Sequence, residues 1–379
     1  MDGTDAERQD AATDSGGHAL ALTLMGSYLK VVHRGDVRKH HEIPRLTDDQ
    51  KQGAHARRVL ESYQRWLKGK PELDVLRLMG LFDRPAERGA LDALRKEPAI
   101  KGLTDALQKL KDADWQFAVA NLRDLRLLAA PDAADSGTLD CHPLLREHFG
   151  EQLKQANPAA WREGNNRLYE YYKASAKEYP DTIQEMAPLF AAVMHGCQAG
   201  HHKDTLSIYY SRIQRGYKTN YVCSRLGAFS ADLAVMSNFF DKPWQKPVDA
   251  LEDYSKATIL GNASYRLRAL GRLVEAAQPM RVSLEIMKTQ ENWQQGAIAA
   301  SNLSELELTI GDVKQALTYA KQSVELADRS DDEMIQMVDR ATLANTLHQA
   351  GYFTEAESTF RKAEEIQKKR QREFPLLYV

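Results

Sequence analysis

Histidine and cysteine are the side chains of this 379-residue chain with the most chemistry to offer, and their spacing limits what that chemistry can be. His33, His40 and His41, or His201 and His202, lie close enough in sequence to raise the question of metal ligation. A zinc site needs ligands that converge at fixed spacing as neutral imidazoles or thiolates. Adjacent histidines on a helix or loop are expected to point apart, and no cysteine pair lies nearby, so these read as solvated histidines and no metal site is expected. Cys141, Cys197 and Cys223 are odd in number and far apart, which suggests plain buried thiols in a reducing compartment. No G-x-S-x-G elbow occurs, and no cysteine stands in a recognisable Cys/His context. No G-x-x-x-x-G-K-[ST] occurs either, and no apolar run ends in acids as a magnesium-holding strand would. These residues give no nucleophile and no phosphate cradle, and the expectation is a protein that is not an enzyme.

Charge points the same way. The 51 Lys and Arg against 53 Asp and Glu give a net charge of −2, with no global attraction to nucleic acid or an anionic membrane. Basic residues that could face DNA include Arg84, Arg88, Arg95, Lys96, Lys101, Arg123 and Arg126. Asp83, Glu87, Asp92, Glu97, Asp105 and Asp124 are interleaved with them. Phosphate binding needs unpaired positive charge, so nucleic acid is an unfavoured partner. The run Arg361, Lys362, Lys368, Lys369, Arg370 and Arg372 is mixed with Glu357, Glu364, Glu365 and Glu373, as in a solvated helix with i,i+4 pairs. No stretch approaches the ~18–20 apolar residues of a membrane span, and the polar, acidic start is not a signal peptide. A cytoplasmic location is expected.

The elements that would position any binding residue are legible from a repeat. Gly271, Gly311 and Gly351 stand 40 residues apart, each followed five residues later by Ala276, Ala316 and Ala356. Met280, Ala320 and Phe360 recur next, then Ile286, Leu326 and Ile366. A fixed period of this size marks a stack of helical hairpins, a tetratricopeptide (TPR)-like solenoid over residues 251–379. Glycine makes the tight turn, the alanine admits close helix packing, and the bulky residues bury the shared face. First helices of such repeats line a concave surface. Candidates for partner binding there are Asn262, Tyr265 and Arg266, then Asn302, Glu305 and Glu307, then Arg340, Asn345 and His348, with the three asparagines at near-equivalent positions. A protein or peptide in this groove is the expected partner.

Upstream of the repeats, residues 1–16 are expected to be a disordered lead-in and 17–68 a small helical domain, with helices near Ala19–Val32 and Gly53–Leu67. Helices over Glu72–Phe82, Ala86–Leu94, Thr104–Lys111 (capped by Thr104) and Trp115–Leu128 fall in a second domain, 69–155. There Leu127–Ala130 and Thr138–Cys141 flank a turn-rich run, Pro131 to Gly137, and helices followed by a short hairpin form a winged-helix pattern. Pro143 opens a further helix. Residues 156–250 read as irregular helical hairpins with Gly200 and Gly227 as turns. The two prolines of Asp241–Pro247 mark the expected internal boundary. A short apolar tail, Phe374 to Val379, ends the chain.

Two local motifs carry a family resemblance. Gly17-His18-Ala19-Leu20-Ala21-Leu22-Thr23-Leu24-Met25-Gly26-Ser27-Tyr28-Leu29 resembles the GLPLAL motif of STAND-type regulatory ATPases, which include the NB-ARC proteins and many bacterial relatives. Leu139-Asp140-Cys141-His142-Pro143-Leu144-Leu145-Arg146-Glu147-His148-Phe149 resembles their histidine-bearing MHD-type motif. Leu76–Phe82 and Asn121–Leu128 resemble core helices of the winged-helix domain between them, and helical repeats then complete the family's order of domains. The resemblance implies that His142 contacts the phosphate of a bound nucleotide in the inactive state. The residues themselves allow a simpler role, a hydrogen-bonded histidine at a helix start. Ala19 replaces the family's adenine-contacting proline, and Pro143 replaces the aspartate after the histidine. With no P-loop, ATP or ADP could be engaged only if a separate ATPase chain supplied the core.

The expected fold is thus all-α with a small β wing: helical bundle, winged helix, then a TPR-like α-solenoid. The expected function is non-catalytic protein interaction and signal sensing in a STAND-type switch, of the kind that in the family often serves immunity or stress signalling. A transcription regulator that binds DNA through the winged helix, or a passive TPR scaffold, is the alternative.

Overall fold

The computed structural model describes residues 1–43, 54–131, 137–216 and 219–370. The expectations for the loop around Pro44, for most of the Pro131–Gly137 turn, for Arg372 and Glu373, and for the Phe374–Val379 tail fall outside them. The chain divides into two units, Met1–Ser175 with Gln198–Gly200, and Ala176–Cys197 with the residues from His201 onward. The division therefore falls near residue 175 and not at Asp241–Pro247. That proline-bearing segment is non-helical, as expected, but it folds as a small antiparallel hairpin, β1 (Phe240–Lys242) with β2 (Lys246–Pro247), inside the second unit. Trp244 packs its ring against Phe240 at the tip, 5.3 Å between centroids.

The first unit opens with a helix where disorder is expected. α1 (Asp5–Asp14) starts at a capping box in which Glu7 N–H donates to Thr4 Oγ1 (3.3 Å) and Thr4 N–H to Glu7 Oε2 (2.7 Å). Thr4-x-x-Glu7 was the sequence signal, outweighed by the polar composition around it. Asp2 and Asp36 pair their backbones, and Arg58 donates to the Asp14 carbonyl (2.9 Å), so tertiary contacts hold what propensity alone would not. α2 (Ala19–Val32) is capped by His18 and packs on α3 (Ala54–Trp66). Fully buried Tyr63 donates its hydroxyl to the Leu24 carbonyl (3.0 Å) in this interface.

α4 (Pro71–Met79), α5 (Arg88–Arg95), the short α6 (Asp105–Gln108), α7 (Asp112–Asp124), α8 (Pro143–Ala156) and α9 (Pro158–Ser175) follow. Thr104 does not cap α6: its fully buried hydroxyl accepts from Ile100 N–H instead (2.8 Å). Ala86, expected to begin a helix, pairs antiparallel with Leu139 (2.8 and 2.9 Å), and Ala129 N–H donates to the Asp140 carbonyl (2.8 Å). The β character of this region is therefore three short backbone contacts, with no longer ladder among the described residues. α4 and α8 meet at Gly80 and Gly150, where a Cβ on Gly150 would lie 2.5 Å from the Gly80 carbonyl oxygen.

The second unit begins with all but the last two residues of α10 (Ile183–Ala199), then α11 (His202–Ile208) running into a π turn (Tyr209–Ile213), α12 (Tyr221–Ser224) and α13 (Phe229–Met236). Gly200 and Gly227 make positive-φ turns as expected. Six helices of near-equal length complete it: α14 (Asp253–Ala269), α15 (Leu273–Thr289), α16 (Trp293–Ile310), α17 (Val313–Arg329), α18 (Glu333–Gln349) and α19 (Phe353–Arg370). They form three hairpins in a TPR-like stack, with α14, α16 and α18 beginning 40 residues apart. The 40-residue glycines sit within the hairpin turns at φ of +74°, +99° and +84°. Ala276, Ala316 and Ala356 are all buried at the close helix approaches, and Met280, Leu284, Leu303 and Leu326 fill the core between successive hairpins.

Candidate binding groove

Side chains of α14, α15 and α16 create a groove of about 450 Å³ in the second unit. Its floor is apolar and buried: Ala257, Met280, Met287, Ala299 and Leu306. Its walls are polar and aromatic, with Tyr254 and Tyr265 each about half exposed (49% and 50%) and Asn262 and Asn302 half-buried between them. Helical periodicity explains the pattern. Asn262 and Tyr265 lie three residues apart on one face of α14, and Asn302 repeats the Asn262 position one hairpin later. Asn262 donates from Nδ2 to the Tyr210 hydroxyl (3.0 Å), which fixes its amide. Phe229 packs on Tyr265 at 6.1 Å between centroids. At the rim, Arg268 meets Glu305 (3.2 Å) with both side chains partly exposed, a pair worth only about 0–1 kcal/mol.

The structure thus brings Asn262, Tyr265, Asn302 and, on the rim, Glu305 together, and separates the other expected binders from them. Arg266 is the clearest correction. Its side chain is wholly buried and ion-paired to Asp232, also wholly buried, so it faces the core and not the groove. Burial opposes its charge, and the surrounding Tyr209 and Asp232 outweigh that and hold the guanidinium protonated. Glu307 is likewise buried and held by Arg281 (2.7 Å). On α18, Arg340 pairs with Asp328 (2.7 Å), His348 packs edge-on against Phe353, and Asn345 is exposed. None of the three lines this groove.

The true 40-residue successor of Asn302 is Thr342, which accepts a hydrogen bond from Ser301 (3.0 Å); Ser304 and Thr346 repeat the contact (3.0 Å). The asparagine series therefore ends at two, and hydroxyl pairs join α16 to α18 where a third would stand. Tyr254 and Arg268 were not anticipated. Tyr254 lies eight residues before Asn262 and Arg268 three after Tyr265, and that helical spacing was the available signal.

His142 is exposed and caps α8, with its Nδ1 accepting from Leu144 N–H (3.2 Å). Three of the seven basic residues considered for DNA are engaged. Arg84 pairs with Asp83 (2.8 Å), Arg88 with Asp92 (3.8 Å), and Arg95 lies over the Trp115 ring at 4.2 Å. α7 opens with Asp112 and Asp114, which repel phosphate. On the last helix Arg361 pairs with Glu357 and Lys368 with Glu364, as expected of a solvated surface. All three cysteines are free and buried, as expected, and burial raises the thiol of Cys141 to about 11 and those of Cys197 and Cys223 to about 12. One expectation about histidine fails: His40 and His41 do not point apart, their ring centroids being 3.7 Å from each other. Among the described residues no helix is long and apolar enough to cross a membrane.

No family model matches the chain, and no curated protein matches it. Solved structures do align with it. One is a Podosopora anserina kinesin light chain protein with nearly identical TPR-like repeats, at 14% identity and a TM-score of 0.32, over 59% of this chain and 92% of that one. Another is a Signal Transduction ATPase with Numerous Domains that carries a tetratricopeptide repeat sensor, from Pyrococcus horikoshii. It aligns at 12% identity and a TM-score of 0.33 over 96% of this chain and 57% of its own. BtubC from P. vanneervenii aligns at 15% identity and a TM-score of 0.31, over 62% of this chain and 83% of that one.

Proposed function

We propose that this chain is a non-catalytic binding protein whose α14–α16 groove takes an extended protein segment. The observation that carries this reading is the pairing of an apolar floor with two asparagines one repeat apart and half-exposed tyrosines on the rim. Amides beside such a floor suit a peptide in extended form, whose backbone groups need partners while alternate side chains seek apolar contact. Tyrosine supplies large amphipathic contact area at low entropic cost.

The test is to pan the full chain against a displayed random-peptide library. Enriched peptides should share a consensus, and Tyr265→Ala and Asn302→Ala should each weaken them by about tenfold or more, in the range of interface hot spots. Arg268→Ala should matter far less. Peptides that bind these variants as they bind the parent would remove the groove from the proposal.

A switching role for the first unit rests on narrower support. The order α4, Ala86, α5, α7, Ala129, Leu139 follows that of a winged helix, with strand contacts where the strands would be. In a STAND-type arrangement, His142 would contact a nucleotide held by a separate P-loop ATPase chain. Recovery of such a protein on co-purification, tighter with one nucleotide and weakened by His142→Ala, would support it. Recovery insensitive to nucleotide would leave an interaction scaffold alone.

A further inference from the structure

Four side chains of the first unit meet at one point. α1 carries Asp10 and Asp14, which are i and i+4 and so share a face. A 3₁₀ turn, Val37–Glu42, carries His40 and His41. His40 Nε2 lies 3.4 Å from Asp10 Oδ2 and 3.4 Å from Asp14 Oδ2, and His41 Nε2 lies 3.8 Å from the same Asp10 oxygen. One ligand atom each from Asp10, His40 and His41 can be chosen with all three within 4.8 Å of one another.

The hydrogen bonding of His40 says what this point is for. Its Nδ1 is 2.9 Å from the Val37 carbonyl oxygen, which can only accept, so Nδ1 carries the proton. Nε2 then has an outward lone pair. That nitrogen is buried without a hydrogen-bond partner, on a residue only 3% exposed, and it faces two carboxylates. A lone pair set against two anions is repulsive unless a cation lies between them. A proton would serve poorly, because charge-assisted N–H···O bonds close to about 2.7–2.9 Å and these distances are longer. A metal fits them. Tetrahedral ligands held at about 2.0–2.1 Å are separated from one another by roughly 3.4 Å. The Nδ1–carbonyl bond is also the outer contact that ligating histidines usually make, since it sets the tautomer and aims the ring.

We propose that Asp10, His40 and His41, with Asp14 beside them, hold one divalent transition-metal ion of the zinc type, which fixes α1 to the Val37–Glu42 turn. Two imidazoles with carboxylate select zinc, cobalt or nickel over magnesium or calcium, which prefer all-oxygen sites. The ion acts structurally: it joins an N-terminal helix of weak amphipathicity to the body of the unit, and its binding energy adds to the stability of the folded state.

The experiment uses the full chain without a histidine tag, stripped by chelator and titrated with Co²⁺ as the spectroscopic probe. Visible ligand-field bands should saturate at equimolar Co²⁺ and be displaced by Zn²⁺, and either ion should raise the melting temperature. Asp10→Asn and His41→Ala change half-exposed side chains and should leave the circular dichroism unaltered. Each removes a direct ligand, so affinity should fall by more than the ~10–100-fold typical of an outer partner. His202→Ala, elsewhere in the chain, should bind as the parent does. Absence of saturable Co²⁺ bands, or equal binding by Asp10→Asn and His41→Ala, overturns the site. A stability gain on mild acidification with no response to metal would assign the cation as a proton and overturn it equally.

Discussion

Arg266 and Asp232 form an ion pair in which neither side chain has any solvent exposure. Asp232 Oδ1 also accepts from the Tyr209 hydroxyl (3.0 Å) and Gln214 Nε2 (2.6 Å), and Arg266 donates to the Asn262 carbonyl (3.0 Å) and Asn220 Oδ1 (3.2 Å). The network ties α14 to the irregular helices before it, so the regular repeats do not begin as an independent array. Removing one partner leaves the other charge buried and uncompensated, which typically costs 3–5 kcal/mol. Arg266→Ala should therefore lower stability by about that amount in urea unfolding. Asn302→Ala, on the groove wall, should stay within about 0.5 kcal/mol of the parent. Equal effects from the two would mean that Arg266 is not the structural residue its burial implies.

Arg266 also marks the limit of what periodicity could tell. A 3.6-residue helix places Asn262, Tyr265 and Arg266 on one face, and sequence alone does not say which of them turns inward. The glycine and alanine positions of the repeat were legible because their physical reasons are local: a positive φ and a close helix approach. Asn345 was misassigned because its 43-residue offset from Asn302 looks near-equivalent, whereas the structural register is strictly 40 and selects Thr342. The His40–His41–Asp10 cluster was invisible because it is tertiary. Nothing in the sequence brings Asp10 to the Val37–Glu42 turn, and α1 itself was obscured by composition.

Asp339 gives a pH dependence with a definite sign. It occupies the position held by Ile259 and Ala299 in the two preceding repeats, both buried, and it is itself 1% exposed with Oδ2 unpartnered. Burial raises its carboxyl from 3.8 to about 7, partly offset by the neighbouring Ser301 hydroxyl and the Arg340 charge. The native state therefore holds this proton more tightly than the unfolded state does. Its stabilising contribution is full below about pH 4 and is lost as pH rises toward 7, by at most about 4 kcal/mol. Asp339→Asn should remove that dependence and leave a protein more stable than the parent at pH 8. Parallel stability–pH curves for the two would show that the carboxyl is not buried as described.

Gly150 tests the crossing of α4 and α8. Its Cβ would lie 2.5 Å from the Gly80 carbonyl oxygen, and one on Gly80 would lie 2.4 Å from Gly150 N. Both obstacles are backbone atoms, which no rotamer change can move aside. Gly150→Ala should cost 1–3 kcal/mol or more from overpacking, despite the ~1 kcal/mol by which alanine favours a helix. Gly26→Ala in α2, where a Cβ meets nothing within 4 Å, should instead stabilise by about 0.5–1 kcal/mol. Thermal melts of the two variants should move in opposite directions.

The repeat contains two kinds of tight turn, and only one uses glycine. Within hairpins the chain turns at Gly271, Gly311 and Gly351; between hairpins it turns at Glu291 and Asp331, both at φ +55°. The second pair also stands 40 residues apart, so the left-handed backbone belongs to the repeat geometry and not to the residue type. For an L-residue with a Cβ that conformation costs roughly 1–2 kcal/mol, less for aspartate. Glycine would relieve it but loses about 0.5–1 kcal/mol more in conformational entropy on folding. Glu291→Gly should therefore gain about 0.5–1 kcal/mol, and Asp331→Gly a smaller amount. Gly311→Ala, at φ +99° with open space around a new Cβ, should lose about 1 kcal/mol from backbone strain alone. Urea unfolding at constant m-value separates the three. A loss on Glu291→Gly would mean that its side chain makes a stabilising contact large enough to outweigh the strain.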